Sequence, residues 1–172
     1  MKKVLLFIIS VVSVLHSYAQ NVDSVQVHST ATTIDSLSLR LNKLQRDYDF
    51  LYCDYELNKL MLDLKDLSSS LDIMSNRILI DYYNNIAYYQ ALYTAYRDNY
   101  DAKCVLFNSL KDKIETVKLA VLVKMAASVF SEQEQDVIYS CFSVIQKSVK
   151  NVELSLDCYN VALRAYQSKR RY

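Results

Sequence analysis

The sequence predicts an all-α protein, an up-down four-helix bundle of long helices. Three observations carry this reading. The 172 residues contain no glycine and no proline, where average usage predicts roughly 12 and about 8. The residues that break helices and build tight turns are therefore missing. Apolar residues recur every three or four positions from Thr33 onward, the period of a helix face. Ser131-Glu132-Gln133-Glu134 places a serine three residues before a glutamate, the pattern of a capping box at a helix start. The same stripes also fit an elongated antiparallel helical coiled coil or three-helix arrangement, and sequence alone leaves that alternative open.

The first element is a leader. Met1-Lys2-Lys3 is a short basic region, followed by an apolar run from Val4 to Leu15. That run is too short for the ~20 helical residues that span a bilayer. Ser17-Tyr18-Ala19 offers small residues at both key positions of a cleavage site. Residues 1–19 are expected to be a secretory signal peptide cut before Gln20, with an uncleaved anchor as the alternative. The leader resembles those of exported Gram-negative bacterial proteins, which implies a periplasmic or extracellular destination. Without Lys2 and Lys3 the chain holds 18 basic and 19 acidic side chains. Near neutrality argues against nucleic acid as a partner. After leader removal no segment is expected to span a membrane; the most apolar run, Val117 to Phe130, is interrupted by Lys118 and Lys124.

Residues 20–32 are polar with no helical period and are expected to form a flexible N-terminal tether. Residues 33–172 then form a single helical domain. A first stripe runs Ile34, Leu37, Leu41, Leu44, Tyr48, Leu51, Tyr55. A second runs from Phe50 through Cys53, Leu57, Leu60, Leu64 and onward to Ile78, more than ~100° round the helix from the first. Two apolar faces near residues 50–55 call for cover on two sides, which suits a bundle. The second stripe continues in phase to Val121. Breaks are therefore expected at Ser68-Ser69-Ser70, at Asp98-Asn99 and at Ser131. They give helices over about 33–67, 71–98, 102–129 and 132–168. If the chain does not break at 68–70, one helix of about 65 residues lies along the other two. The last helix carries a seam from Ile138 to Tyr166. A shorter stripe of Leu154, Cys158, Val161 and Ala165 lies on a different face, either buried in the bundle or presented to a partner.

The chemistry-bearing residues are sparse. Without glycine there is no phosphate-cradling loop, no GxGxxG and no GxSxG turn. Beyond the leader the one histidine is His28, so a Ser-His or Cys-His pair would have to recruit it. No Glu-x-x-His pair for a di-iron bundle and no CxxCH haem motif occurs. We expect no enzyme, no cofactor and no metal site. Export permits disulfides among Cys53, Cys104, Cys141 and Cys158. In an up-down bundle Cys53 and Cys141 fall at similar heights, as do Cys104 and Cys158. Bridges 53–141 and 104–158 are the expected pairing, with free thiols packed as small apolar groups as the alternative.

Tyrosine is the unusual positive feature: 15 in the chain, against no tryptophan. Tyr82, Tyr89, Tyr93, Tyr96 and Tyr100 share one helical face. They are read as a contact surface for a protein or as a helix seam; in another reading a cavity between the helices, lined by Tyr82, Tyr89 and Tyr93, holds a small amphipathic or sugar ligand. The function expected is a non-catalytic interaction protein of the bacterial cell envelope. It would bind a protein partner, or itself, through this stripe and through the face carrying Leu154 and Val161. In outline the chain resembles periplasmic holdase chaperones and helical minor pilus components of conjugation machines, with a leader and long helices in common but no shared motif.

Overall fold

The computed structural model describes the backbone of residues 24–84 and 89–169, with side chains from residue 33 onward. The expected leader 1–19 lies outside these residues, as do 20–23. Among the described residues three helices are found: α1 (Ser24–Tyr83), α2 (Gln90–Ala127) and α3 (Glu132–Ser168). The all-α class holds, and the four-helix bundle is corrected to three helices. The chain divides into two units, Met1–Gln45 and Arg46–Tyr172.

In the first unit the described backbone is all α1, and the helix starts at Ser24. Residues 24–32, expected as tether, are thus helical. Once a helix exists, each added residue gains a hydrogen bond without a new nucleus, and no glycine or proline opposes the extension. Every described side chain from 33 to 45 is exposed.

In the second unit α2 runs antiparallel to α1. Asp49 of α1 meets Lys124 and Ser128, Asp63 meets Lys113, and Asp81 meets Tyr96. Helix α3 then returns parallel to α1, with Ser68 against Ser155 at 3.0 Å and the Tyr82 carbonyl against Lys169. The second stripe is the core contribution of α1: Cys53, Leu57, Leu60, Leu64, Leu71 and Ile78 are all fully buried. Val121 of α2 and Ile138, Val152, Tyr159 and Tyr166 of α3 close over it.

The expected break at 68–70 is absent because Leu67 and Leu71 on either side both belong to that buried stripe. The Ser68 hydroxyl is engaged across helices rather than in a cap. The break at 98–99 is absent for a similar reason: the Asn99 side-chain carbonyl lies 3.4 Å from the Tyr159 hydroxyl, a tertiary contact within an unbroken α2. The turn falls instead after Tyr83. There the α3 end contributes, with the Tyr166 hydroxyl accepting from the Tyr89 amide and Lys169 donating to the Tyr82 carbonyl. At Ser131 the expectation holds in full. Its hydroxyl accepts from the Glu134 amide at 3.3 Å, and the Glu134 carboxylate accepts from the Ser131 amide at 2.7 Å. These bonds hold the Glu134 carboxyl below its usual range. Such a cap stabilises a helix by about 1 kcal/mol.

Candidate interaction surface

The tyrosine stripe is mostly interior. Tyr93 and Tyr96 are only 8% and 4% exposed, and Tyr100 packs half-buried against the same core. Their rings meet α3 edge to face: Tyr96 with Tyr166 at 6.0 Å and Tyr100 with Tyr159 at 5.4 Å between centroids. The hydroxyls are spent internally. Tyr96 donates to Asp81 at 2.5 Å, and Tyr159 donates to the Tyr96 carbonyl at 2.9 Å. Tyr93, Tyr96 and Tyr100 are therefore a helix seam and not the contact surface expected of them. Tyr82 is half-buried beneath the Lys169 ammonium, 4.7 Å from its ring centroid. Tyr89 stays exposed. Physically, an aromatic row at helical spacing places its large apolar area where a neighbouring helix can remove it from water, provided each hydroxyl finds a partner.

Two apolar faces remain outside. On α3, Leu154 and Val161 are 63% and 64% exposed, with Cys158 beside them. The short stripe thus faces solvent rather than the bundle. The larger face is the first stripe of α1. In the first unit Ile34, Leu37, Leu41 and Leu44 are 47%, 57%, 51% and 67% exposed. In the second unit Tyr48, Leu51 and Tyr55, next in the same sequence register, are 63%, 64% and 61% exposed. The core-facing stripe of Cys53 and Leu57 lies on the far side of the helix from them, so these three side chains stay mostly exposed, with the Lys124 ammonium of α2 5.9 Å from the Tyr48 ring centroid. Sequence reasoning had assigned this stripe to bundle packing. Its spacing alternates three and four, but so does that of the buried stripe from Phe50 to Ile78, so the pattern marks both as contact faces without saying which one a helix of this chain covers.

The polar groups between the helices form a clamp. Asp49, 5% exposed, accepts from Lys124 Nζ at 2.5 Å and from Ser128 Oγ at 2.7 Å. The Lys124 ammonium sits 4.8 Å from the Tyr52 ring centroid. The Asp49 hydrogen bond holds the Lys124 pKa above its ordinary value, against the opposing effect of burial. A serine, a lysine and an aspartate meet here: Ser128 donates a hydrogen bond to the Asp49 carboxylate, which also accepts from the Lys124 ammonium. Pairing with the ammonium makes that carboxylate a weaker base toward the hydroxyl.

All four cysteines are free thiols, and neither expected bridge, 53–141 or 104–158, is formed. Cys53 is buried and Cys158 exposed, with Cys104 and Cys141 between. Burial pushes the Cys53 and Cys141 thiols up, away from the reactive thiolate. Among the described residues no cluster of three or more His, Cys, Asp or Glu could hold a metal ion. No described helix is long and apolar enough to cross a membrane.

The buried hydroxyls set an alkaline limit. Desolvation, and for Tyr96 also the Asp81 carboxylate, pushes Tyr96 and Tyr159 each up to about 12. The folded state thus keeps protons that the unfolded state gives up near pH ~10. The associated stability is complete below about pH 10 and is lost as pH rises through about 12, roughly 2–3 kcal/mol per hydroxyl. The raised Lys124 acts with the same sign. Urea midpoints measured from about pH 8 to 12 are expected to fall steeply above pH ~10. The Tyr96→Phe/Tyr159→Phe double variant should show a shallower fall; an identical slope would contradict this assignment.

No protein family, curated protein or solved structure matches this chain.

Proposed function

We propose that this chain is an exported, non-catalytic helical interaction protein of the cell envelope, which binds a protein through an exposed apolar helix face. The observation that carries the reading is the exposed apolar row on α1: Ile34, Leu37, Leu41 and Leu44 in the first unit and, separately, Tyr48, Leu51 and Tyr55 in the second, each about half exposed or more. Scattered exposed apolar residues are ordinary on protein surfaces; a contiguous row of them is a mark of an interface. The α3 strip of Leu154 and Val161 is a second, smaller patch. The absence of the glycine loops that many enzyme classes need supports a role without catalysis. The ligand-cavity reading, which needed Tyr82, Tyr89 and Tyr93 around one cavity, loses support because Tyr89 is exposed and Tyr93 is buried in the helix seam. The leader-like residues 1–19 support export.

The test is a photo-crosslinking amino acid placed at Leu41 in cells making the full chain, with Lys118 on α2 as the off-stripe control. A discrete adduct from Leu41 and none from Lys118 is expected. Failure of Leu41 to form any adduct would end this reading.

A further inference from the structure

The outer face of α3 repeats every seven residues. Val137, Val144, Asn151 and Cys158 fall at one heptad position, and Ser140, Lys147, Leu154 and Val161 at the other. All eight are exposed, and all lie in the second unit. The face sits roughly 120° round the helix from Ile138, Ile145, Val152 and Tyr159, which α3 gives to the core. Its two edges differ. On one edge Ser155 and Ala162 are buried, with Cys141 and Ser148 half-buried. On the other, Asp136, Ser143, Lys150, Asp157 and Arg164 are all exposed and carry the charge.

We infer that this face pairs with the same face of a second copy of this chain, as a short antiparallel coiled coil. The edges set the orientation. In a parallel pair the charged edge of each helix meets the buried edge of the other. Lys150 would then face the second copy's Ser155 and Asp157 its Ala162, and the two Lys147 side chains would share one core layer. In an antiparallel pair charged edge meets charged edge. Lys150 and Asp157 stand one heptad apart with opposite sign. A two-fold axis between residues 152 and 153 therefore sets each Lys150 against the second copy's Asp157. The same register sets each Val144 against the second copy's Val161 and brings the two Leu154 side chains together at the axis. Lys147 faces Cys158, with its stem over the seam and its ammonium at the edge. Sliding one heptad either way puts Lys150 on Lys150 or Asp157 on Asp157. This charge order selects a second copy as the occupant, because the face is complementary to its own two-fold image. Such a pair closes at two chains, whereas pairing between unlike faces runs on as a filament unless its rotation closes a ring. The valines and Leu154 offer roughly 350 Å2 of apolar surface per chain, and the pair with its lysine stems buries about 800 Å2. That is the size of a transient contact, with a Kd on the order of 100 μM.

A disulfide trap on the protein purified from cells making the full chain tests this. Lys147→Cys places a thiol opposite the second copy's Cys158; within one chain the two positions lie about 16 Å apart along the helix, beyond disulfide reach. With oxidised glutathione as oxidant and about 100 μM protein, a covalent dimer is expected, its bond mapping to position 147 and Cys158. The parent and Glu153→Cys, which is exposed but off the seam, should give little dimer. Lys147→Cys/Lys150→Asp should be trapped roughly 3–10-fold more slowly, and adding Asp157→Lys should restore the rate. All the substituted side chains are exposed, so helicity by circular dichroism should match the parent. No trapped dimer from Lys147→Cys, equal trapping from Glu153→Cys, a parent linked through its two Cys158 thiols, or a charge swap without rescue overturns the proposal. The pairing uses no residue of the α1 row, so this trap and the Leu41 crosslink succeed or fail independently.

Discussion

Replacing Tyr159 with alanine is expected to lower the unfolding free energy by about 3–5 kcal/mol, the range for truncating a fully buried aromatic ring. Tyr159 has no exposed surface, its ring is edge-to-face with Tyr100, and its hydroxyl donates to the Tyr96 carbonyl. Most of the loss comes from the cavity. Tyr159→Phe keeps the ring and removes the hydroxyl that bonds the Tyr96 carbonyl at 2.9 Å and the Asn99 side chain at 3.4 Å; the Tyr96 carbonyl retains its place in the α2 helix, so about 0.5–1.5 kcal/mol is expected. Tyr89→Ala, at an exposed position, should lie within about 0.5 kcal/mol of the parent. Urea titrations of the three variants order these effects. A Tyr159→Ala loss no larger than that of Tyr159→Phe would mean the aromatic end is not packed as described. The result also bears on function, because a row of tyrosines that holds the fold is not available to grip a partner.

The core was legible in the sequence where a stripe has one phase. The row from Cys53 to Ile78 and the α3 seam from Ile138 to Tyr166 are buried as their spacing predicts. The Ser131 cap was legible because both of its partners lie within one turn of chain. The other breaks were not. Serine and asparagine favour caps locally, but Ser68 and Asn99 use their side chains on α3 groups more than fifty residues away. The real turn after Tyr83 has no glycine or proline to announce it. Part of what holds it comes from Tyr166 and Lys169 at the far end of the chain. A local reading cannot register contacts of that range.

The candidate surface was legible only as a pattern. Spacing identified the row Ile34 to Tyr55 as one face, but could not say whether a helix of this chain covers it. That depends on helix number. With four helices a cover was available for both faces of α1; with three, the core-facing row takes α2 and α3, and Tyr48, Leu51 and Tyr55 are left outside. The single turn after Tyr83, in place of breaks at 68–70 and 98–99, is thus what leaves these side chains exposed. The same geometry turned the tyrosine row inward, since α2 is long enough to lay Tyr93, Tyr96 and Tyr100 along α3.

Replacing Lys124 with methionine is expected to cost about 3–5 kcal/mol, the range for removing one partner of a buried ion pair. The substitution keeps the apolar stem and deletes the ammonium, so packing against Tyr52 changes little and the loss reports on charge. Asp49, 5% exposed, would lose the ammonium that neutralises it, and the Ser128 hydroxyl cannot supply that charge. Asp49→Asn in the parent leaves an exposable ammonium and a side chain that still bonds Ser128, so a smaller loss is expected. The double variant Asp49→Leu/Lys124→Met removes both charges and should recover much of the deficit, because an apolar pair avoids desolvating either ion. Thermal and urea unfolding of the four proteins form a double-mutant cycle, with a coupling of roughly 2–3 kcal/mol expected. Additive losses would mean that Asp49 and Lys124 act independently and that the clamp does not tie the end of α2 to α1. A strong coupling has a consequence for the exposed row of α1 as well. Asp49 lies between Tyr48 and Leu51 on the same helix, so the clamp anchors on its inner side the segment that presents those residues on its outer side. Lys124→Met is then expected to weaken any association made through Tyr48 and Leu51 without changing a residue of that face.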